Sequence, residues 1–165
     1  MKHRALLVLS VLALAACQSE PRPPVASRTP GFYLSLASAE AVVDAAAARD
    51  MISAYRRNEG LGPLTVDPGL QEAAEAEAKA MAAADRPSSA DAFKGRLAAA
   101  GFPAPAANLS AGYHTVAEAF SGWRESAQHN RVLLDPRATR IGIATAYRPN
   151  SKYKVYWVLA VAAGS

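Results

Sequence analysis

From Ser38 to Ala100 apolar residues recur at intervals of three and four, the spacing that gathers them on one face of a helix. A first helix is predicted over Ser38 to Glu59, with Ser38 as its N-cap and Val42, Ala45, Ala46, Ile52 and Tyr55 near one side. Gly60 and Gly62-Pro63 end it. Asp67-Pro68 sets an N-cap before a proline at the first helical position, so a second helix is predicted from there to Ala84. Leu70, Ala74, Ala78 and Met81 make its apolar stripe, and Glu72, Glu75, Glu77 and Lys79 fall on its wet side. That stripe reads as core packing. A third helix is predicted from Asp91 to Ala100, with Phe93 and Leu97 inward and Gly101 as the stop. Thr115-Val116-Ala117-Glu118 has the form of a capping box, which opens a fourth helix to Ala127 with Val116, Phe120 and Trp123 buried.

The period then changes. Thr139 to Tyr147 and Tyr153 to Ala163 alternate as strands do, joined by the turn-forming Arg148-Pro149-Asn150-Ser151. Asn108 to Tyr113 fits a short strand or edge segment. Helices first and an antiparallel hairpin last suit an α+β domain or an α/β/α layered one.

The N-terminus sets the compartment. Lys2 and Arg4 precede an apolar run from Leu6 to Ala16, too short for a bilayer span and ordered as in a secretory signal. Leu14-Ala15-Ala16-Cys17 resembles the lipobox of bacterial lipoproteins. The resemblance implies cleavage before Cys17 and lipidation of that residue. Cys17 is the single cysteine, so it has no internal disulfide partner. Gln18 rather than Asp follows it, which in lipoproteins points to the outer membrane. The expected organisation is a signal peptide over 1–16, a lipidated Cys17 with a flexible tether over 17–37, and one domain over 38–165. Pro21, Pro23, Pro24 and Pro30 keep the tether extended. Phe32, Tyr33, Leu34 and Leu36 interrupt its polarity, and either dock on the domain or sit near the lipid surface.

Charge narrows the classes further. The chain carries 18 Lys and Arg against 14 Asp and Glu, and Lys2 and Arg4 leave with the leader. No clustered basic face points to nucleic acid. Arg56-Arg57 and the Arg137/Arg140 pair read as solvated surface. No phosphate-cradling glycine loop or dinucleotide fingerprint is present.

Several short stretches, in order, resemble bacterial members of the CAP superfamily, the SCP-like extracellular domain. They are Arg56 to Asp67 with Leu70 and Ala74; Arg96-Leu97 with Ala100-Gly101-Phe102; and Asn108-Leu109 to Gly112. Next come Ala119, Trp123, Ser126, His129 and Leu133-Leu134, then Ile141-Gly142-Ile143-Ala144 and Tyr156-Trp157. The resemblance covers about residues 38–163 and implies a three-layer α-β-α sandwich with a cleft over the sheet.

Many members line that cleft with two His and two Glu, and the histidines can hold a divalent metal. The matching positions here are Ser88 or Ser89 for the first His, Ala107 and Ser126 for the glutamates, and His129 for the second His. A stable zinc site usually takes three or four protein ligands. Beyond the leader the histidines are His114 and His129, so no metal and no cofactor are expected. His114 reads as a loop residue. His129 reads as a group near the C-terminal end of the fourth helix, where the dipole favours its cation.

The cleft candidates are His129, Asn108, Ser126, Tyr113, Ser88 and Ser89. Phe93, Phe102, Leu109, Tyr113 and Trp123 either line an apolar pocket or belong to the core. The expected role is a non-catalytic binding module, monomeric and held to the membrane through Cys17. Its ligand is an apolar small molecule, lipid, glycan or protein. The alternatives are a degenerate hydrolase, using His129 with Ser126 or Ser121, and a passive structural lipoprotein.

Overall fold

The computed structural model describes residues 29–164. The predicted leader, Cys17 and most of the tether lie outside the described residues. Among those described, no helix is long and apolar enough to cross a membrane.

Helix α1 spans Ala45–Asn58, so the predicted start at Ser38 is corrected to Asp44. The Asp44 carboxylate accepts from the Ala47 amide at 2.9 Å and caps the alanine run that follows. The β-branched pair Val42-Val43 stays outside the helix, where χ1 is freer. Upstream, the Leu36 amide donates to the His114 carbonyl at 2.7 Å, and Leu36 and Val43 are buried. Phe32 packs on the core, while Tyr33 and Leu34 are exposed.

Strand β1 (Thr65–Val66) is a short element that the period-two pattern is too brief to reveal. Helix α2 (Pro68–Ala84) begins as expected, with Asp67 accepting from the Leu70 amide at 2.9 Å. Helix α3 runs Ala90–Ala99 and is capped by Ser89, whose hydroxyl accepts from Ala92 at 3.3 Å. Strand β2 is Ala106–Ala111. Helix α4 is Val116–Glu125, capped by Thr115 through the Glu118 amide at 3.1 Å. The returning Glu118 carboxylate accepts from His114 at 2.6 Å, one residue before the donor a capping box normally uses.

The predicted fourth helix does not run on to Ala127. Ser126 takes an extended conformation, with φ −89 and ψ 115, and a separate helix α5 follows at Ala127–Leu133. The Ser126 amide donates to Gly122 while its carbonyl accepts from Asn130 at 2.8 Å, so one residue closes one helix and opens the next. Strands β3 (Ala138–Tyr147) and β4 (Val155–Ala163) form the predicted hairpin.

The sheet order is β1-β3-β4-β2, with β1 parallel to β3 and the other pairs antiparallel. Alternation along β4 divides the core into two. Val155, Trp157, Leu159 and Val161 face α1, α4 and α5, together with Ile141 and Ile143 of β3. Tyr156, Val158, Ala160 and Ala162 face α2 and α3. With helices on both faces, β4 reads as an unbroken apolar run. The architecture is the expected three-layer α-β-α sandwich. Gly142 in β3 lies under the first turn of α2, where a Cβ would overlap the Leu70 carbonyl and the Gln71 amide nitrogen.

Two charged residues sit deeper than their sequence context suggests. Arg56, expected on the surface, is 1% exposed. Its guanidinium donates to the Gly62 carbonyl at 2.9 Å, to Leu133 at 2.8 Å, to Asp135 at 2.9 Å and to Ala138 at 3.0 Å. Glu77, assigned to the wet side of α2, is buried against α3 and paired with Arg96. Both corrections have one cause: another element closes over the position and offers a partner.

Two stability changes follow. Gly142→Ala is expected to lose about 1–3 kcal/mol through overpacking, read as a lower midpoint in thermal denaturation. Arg56→Met strands buried carbonyls of three chain segments and is expected to cost about 3–5 kcal/mol in urea denaturation. An Arg56→Met variant as stable as wild type would show that the carbonyls find other donors.

Candidate functional site

A cavity of about 500 Å³ opens between α3, β2 and α5. The start of α3 supplies Ser89, Ala90, Asp91 and Lys94; β2 supplies Ala106, Ala107 and Asn108. Helix α5 supplies Gln128, Arg131 and Val132, and Asp135 follows it. The break at Ser126 creates this geometry, because it re-aims α5 across the end of β2.

Asn108 is 1% exposed. Its register opposite Leu159 places it on the outer strand β2, beneath α5. The side-chain amide donates to the His129 carbonyl at 3.0 Å, bracing the first turn of α5. Its Oδ1 is buried without a hydrogen-bond partner, and so is the Nδ1 of His129.

His129 is the third residue of α5, at the positive end of that helix. The expectation that it sits near a helix C-terminus is therefore corrected. Burial pushes its pKa below the usual histidine value, and the helix dipole there also disfavours the imidazolium.

The remaining predicted residues separate. Ser89 edges the cavity, but its hydroxyl is engaged in capping α3. Ser88 borders a different hollow, with Glu77, Phe93 and Arg96, on the outer side of α2 and α3. Ser126 joins α4 to α5, and its side chain makes no cap hydrogen bond. Tyr113 lies elsewhere, with its hydroxyl and ring packed over Gly122 of α4 and its carbonyl accepting from Trp157 Nε1 at 2.8 Å.

Among the described residues, Phe93, Phe102, Leu109, Tyr113 and Trp123 do not gather around one cleft. Trp123 and Phe93 are buried in opposite halves of the core. Trp123 meets Trp157 edge to face at 5.9 Å and donates to Ser110 at 3.1 Å. Phe102 packs over Gly69 beside Arg140, and Leu109 faces α2 and α3. These positions are taken because apolar rings fill the layers between helix and sheet before they line a polar hollow.

The cavity's charged side chains were missed by the sequence reading. Lys94 pairs with Asp91 at 2.7 Å. Asp135 accepts from Arg137 at 2.8 Å, and that hydrogen bond holds its carboxyl below the usual aspartate range, with Arg56 adding to the effect. Arg131 has no carboxylate within ion-pair range among the described residues. Gln128, Arg131 and Asp135 could be found only once α5 is known to be a separate helix.

The donor set does not suit a divalent metal. No group of three or more His, Cys, Asp or Glu gathers among the described residues. Ser89 and Ala107 stand at the cavity where a metal would need nitrogen or carboxylate ligands.

A three-layer sandwich with its cleft at the junction of α3, β2 and α5 defines the class, and the comparisons agree. Residues 49–161 match the family described as the cysteine-rich secretory protein family, CAP, so the chain belongs to that family. A cysteine-rich secretory protein from Staphylococcus aureus subsp. aureus Mu50 superposes with a TM-score of 0.59 at 20% identity, over 72% of this chain and 38% of that one. An extracellular SCP-domain protein from Bacillus anthracis str. Ames gives 0.61 at 20% identity, over 73% and 40%. An outer surface protein of Borrelia burgdorferi gives 0.61 at 14% identity, over 73% of this chain and 92% of that one. At these identities the likeness is one of fold. The chain spans about two fifths of the length of the first two proteins. No curated protein matches it significantly.

The His129 environment makes a pH prediction. Its folded pKa lies below the unfolded value of 6.5, so the unfolded chain binds the extra proton first. The stability it contributes is complete above that value and is lost as pH falls through the depressed folded pKa. Asp67 and Asp135 are also lowered, and their window lies further down, from about 3.8. The melting temperature is expected to fall between about pH 7 and 5, and His129→Gln should flatten that slope. An identical slope in the variant would assign the effect to another group.

Proposed function

We propose that the protein is an extracytoplasmic CAP module that is held to the cell envelope through Cys17 and binds a small polar ligand without catalysis. The observation that carries this reading is a persistent cleft whose walls suit contact better than chemistry. A cavity of about 500 Å³ is a normal size for a small-molecule site. Its walls hold polar side chains and alanines; of the family's two histidine positions His129 is kept and Ser88 or Ser89 stands at the other, while Ala107 and Ser126 stand at the two glutamate positions.

The hydrolase alternative draws no support from the geometry. His129 Nδ1 has no hydrogen-bond partner, serine or otherwise, among the described residues. A nucleophile–base pair needs that contact to activate the hydroxyl. None of the aromatic side chains borders this cleft. A glycan or another polar molecule therefore fits the cleft better than a lipid.

Anchoring rests on the Leu14-Ala15-Ala16-Cys17 sequence and on the Pro-rich stretch after it. Acyl chains on Cys17 bury enough methylene groups to hold a small domain at a membrane. The membrane favoured by Gln18 is the outer one, and the module acts as a monomer.

Three measurements test the reading. Labelled palmitate should enter the wild-type chain and not Cys17→Ser, and the variant should move to the soluble fraction. Purified tagless protein should carry far less than one equivalent of zinc or magnesium. An ester and peptide screen should give the same background for wild type and His129→Ala; activity lost in the variant would make this an enzyme.

A further inference from the structure

We propose that the ligand of this cleft is an acidic sugar, a hydroxylated ring carrying one carboxylate, held at Arg131 with its hydroxyls on Asn108 and Gln128. The inference rests on the binding role proposed above and specifies its ligand.

Four charged side chains border the cavity: Asp91, Lys94, Arg131 and Asp135. Asp91 and Lys94 neutralise each other at 2.7 Å. Asp135 is committed to Arg137, with Arg56 behind it. Arg131 alone faces no carboxylate within ion-pair range among the described residues. The cavity thus has one uncompensated cation in the form suited to a carboxylate, a planar guanidinium that can donate twice.

The neutral lining gives the rest of the ligand. Asn108 is almost wholly buried in the cavity wall, and its Oδ1 has no donor. Buried acceptors are normally satisfied, so this atom, closed to solvent in the free protein, takes a ligand O–H once the exposed side chains of α5 beside it shift. Gln128 adds both a donor and an acceptor at the other side. No aromatic side chain borders the cavity, and Val132 is its largest aliphatic one. An acyl chain would find little to bury against, whereas a polyol would find amides. The volume accommodates a small saccharide.

Carboxylated amino sugars of the N-acetylmuramic type and uronic acids both present this chemistry. The test uses the detergent-solubilised full chain, labelled for NMR, with N-acetylmuramic acid, glucuronic acid and glucose as probes. One acid or both should shift the side-chain amide signals of Asn108 and Gln128, and which one binds identifies the source. Glucose should bind about tenfold more weakly, the loss of one charge-assisted pair. Arg131→Gln should weaken the acid about tenfold, leave glucose unchanged and keep the melting temperature, since Arg131 is exposed. Equal affinity for acids and glucose, or an Arg131→Gln variant as tight as wild type, overturns the assignment. If a neutral probe shifts the same amides without any acid preference, the acidic-sugar inference fails and the binding role survives. If no probe of any class moves them, both fail.

Discussion

A single buried guanidinium ties the α1 side of the sandwich together. Arg56 leaves the last turn of α1 and donates to carbonyls of the loop after that helix, the end of α5, the turn beyond it and the first residue of β3. The partners at the α5 end stand 77, 79 and 82 residues away in the chain. A buried cation is tolerable only when it is satisfied throughout, and these carbonyls supply that. In return they gain donors at a place where α5 ends and no strand partner is available. The position of α5, and with it one wall of the cleft, follows from this arrangement.

The second constraint is the close seat of α2 on the sheet. Gly142 lets the first turn of α2 approach the backbone of β3, and Gln71 then bonds both main-chain groups of Ile143 at 3.0 and 3.1 Å. Gln71 stands in for the next residue of a strand where β1 has already ended. On the opposite face the two tryptophans pack edge to face with both indole nitrogens satisfied. The sheet is thus fixed from both sides. The cleft lies beyond the packed layers, where α3, β2 and α5 converge without filling the space between them.

That placement explains why the cleft is polar. The layers on either face of β4 absorb the large apolar side chains, and what remains at the junction are helix termini and their capping groups. Ser89 is at the cavity because it caps α3, and Gln128 and Arg131 are there because α5 turns its polar side toward α3.

Much of this was legible in the residues alone. The Asp67-Pro68 start of α2, the Thr115 cap of α4, the period-two hairpin and the ordered CAP-like stretches are local signals, carried within a few residues, and they gave the α-β-α layering and the family. The residues Ser88 or Ser89, Ala107 and Ser126 at the positions where many family members carry a histidine and two glutamates were also readable. Tertiary structure alone decided the break at Ser126, the position of His129 in the first turn of α5, the burial of Arg56 and Glu77, and the withdrawal of Tyr113 from the cleft. Capping and periodicity are set by neighbours along the chain. Whether a charged or aromatic side chain is buried depends on partners that only folding brings within reach.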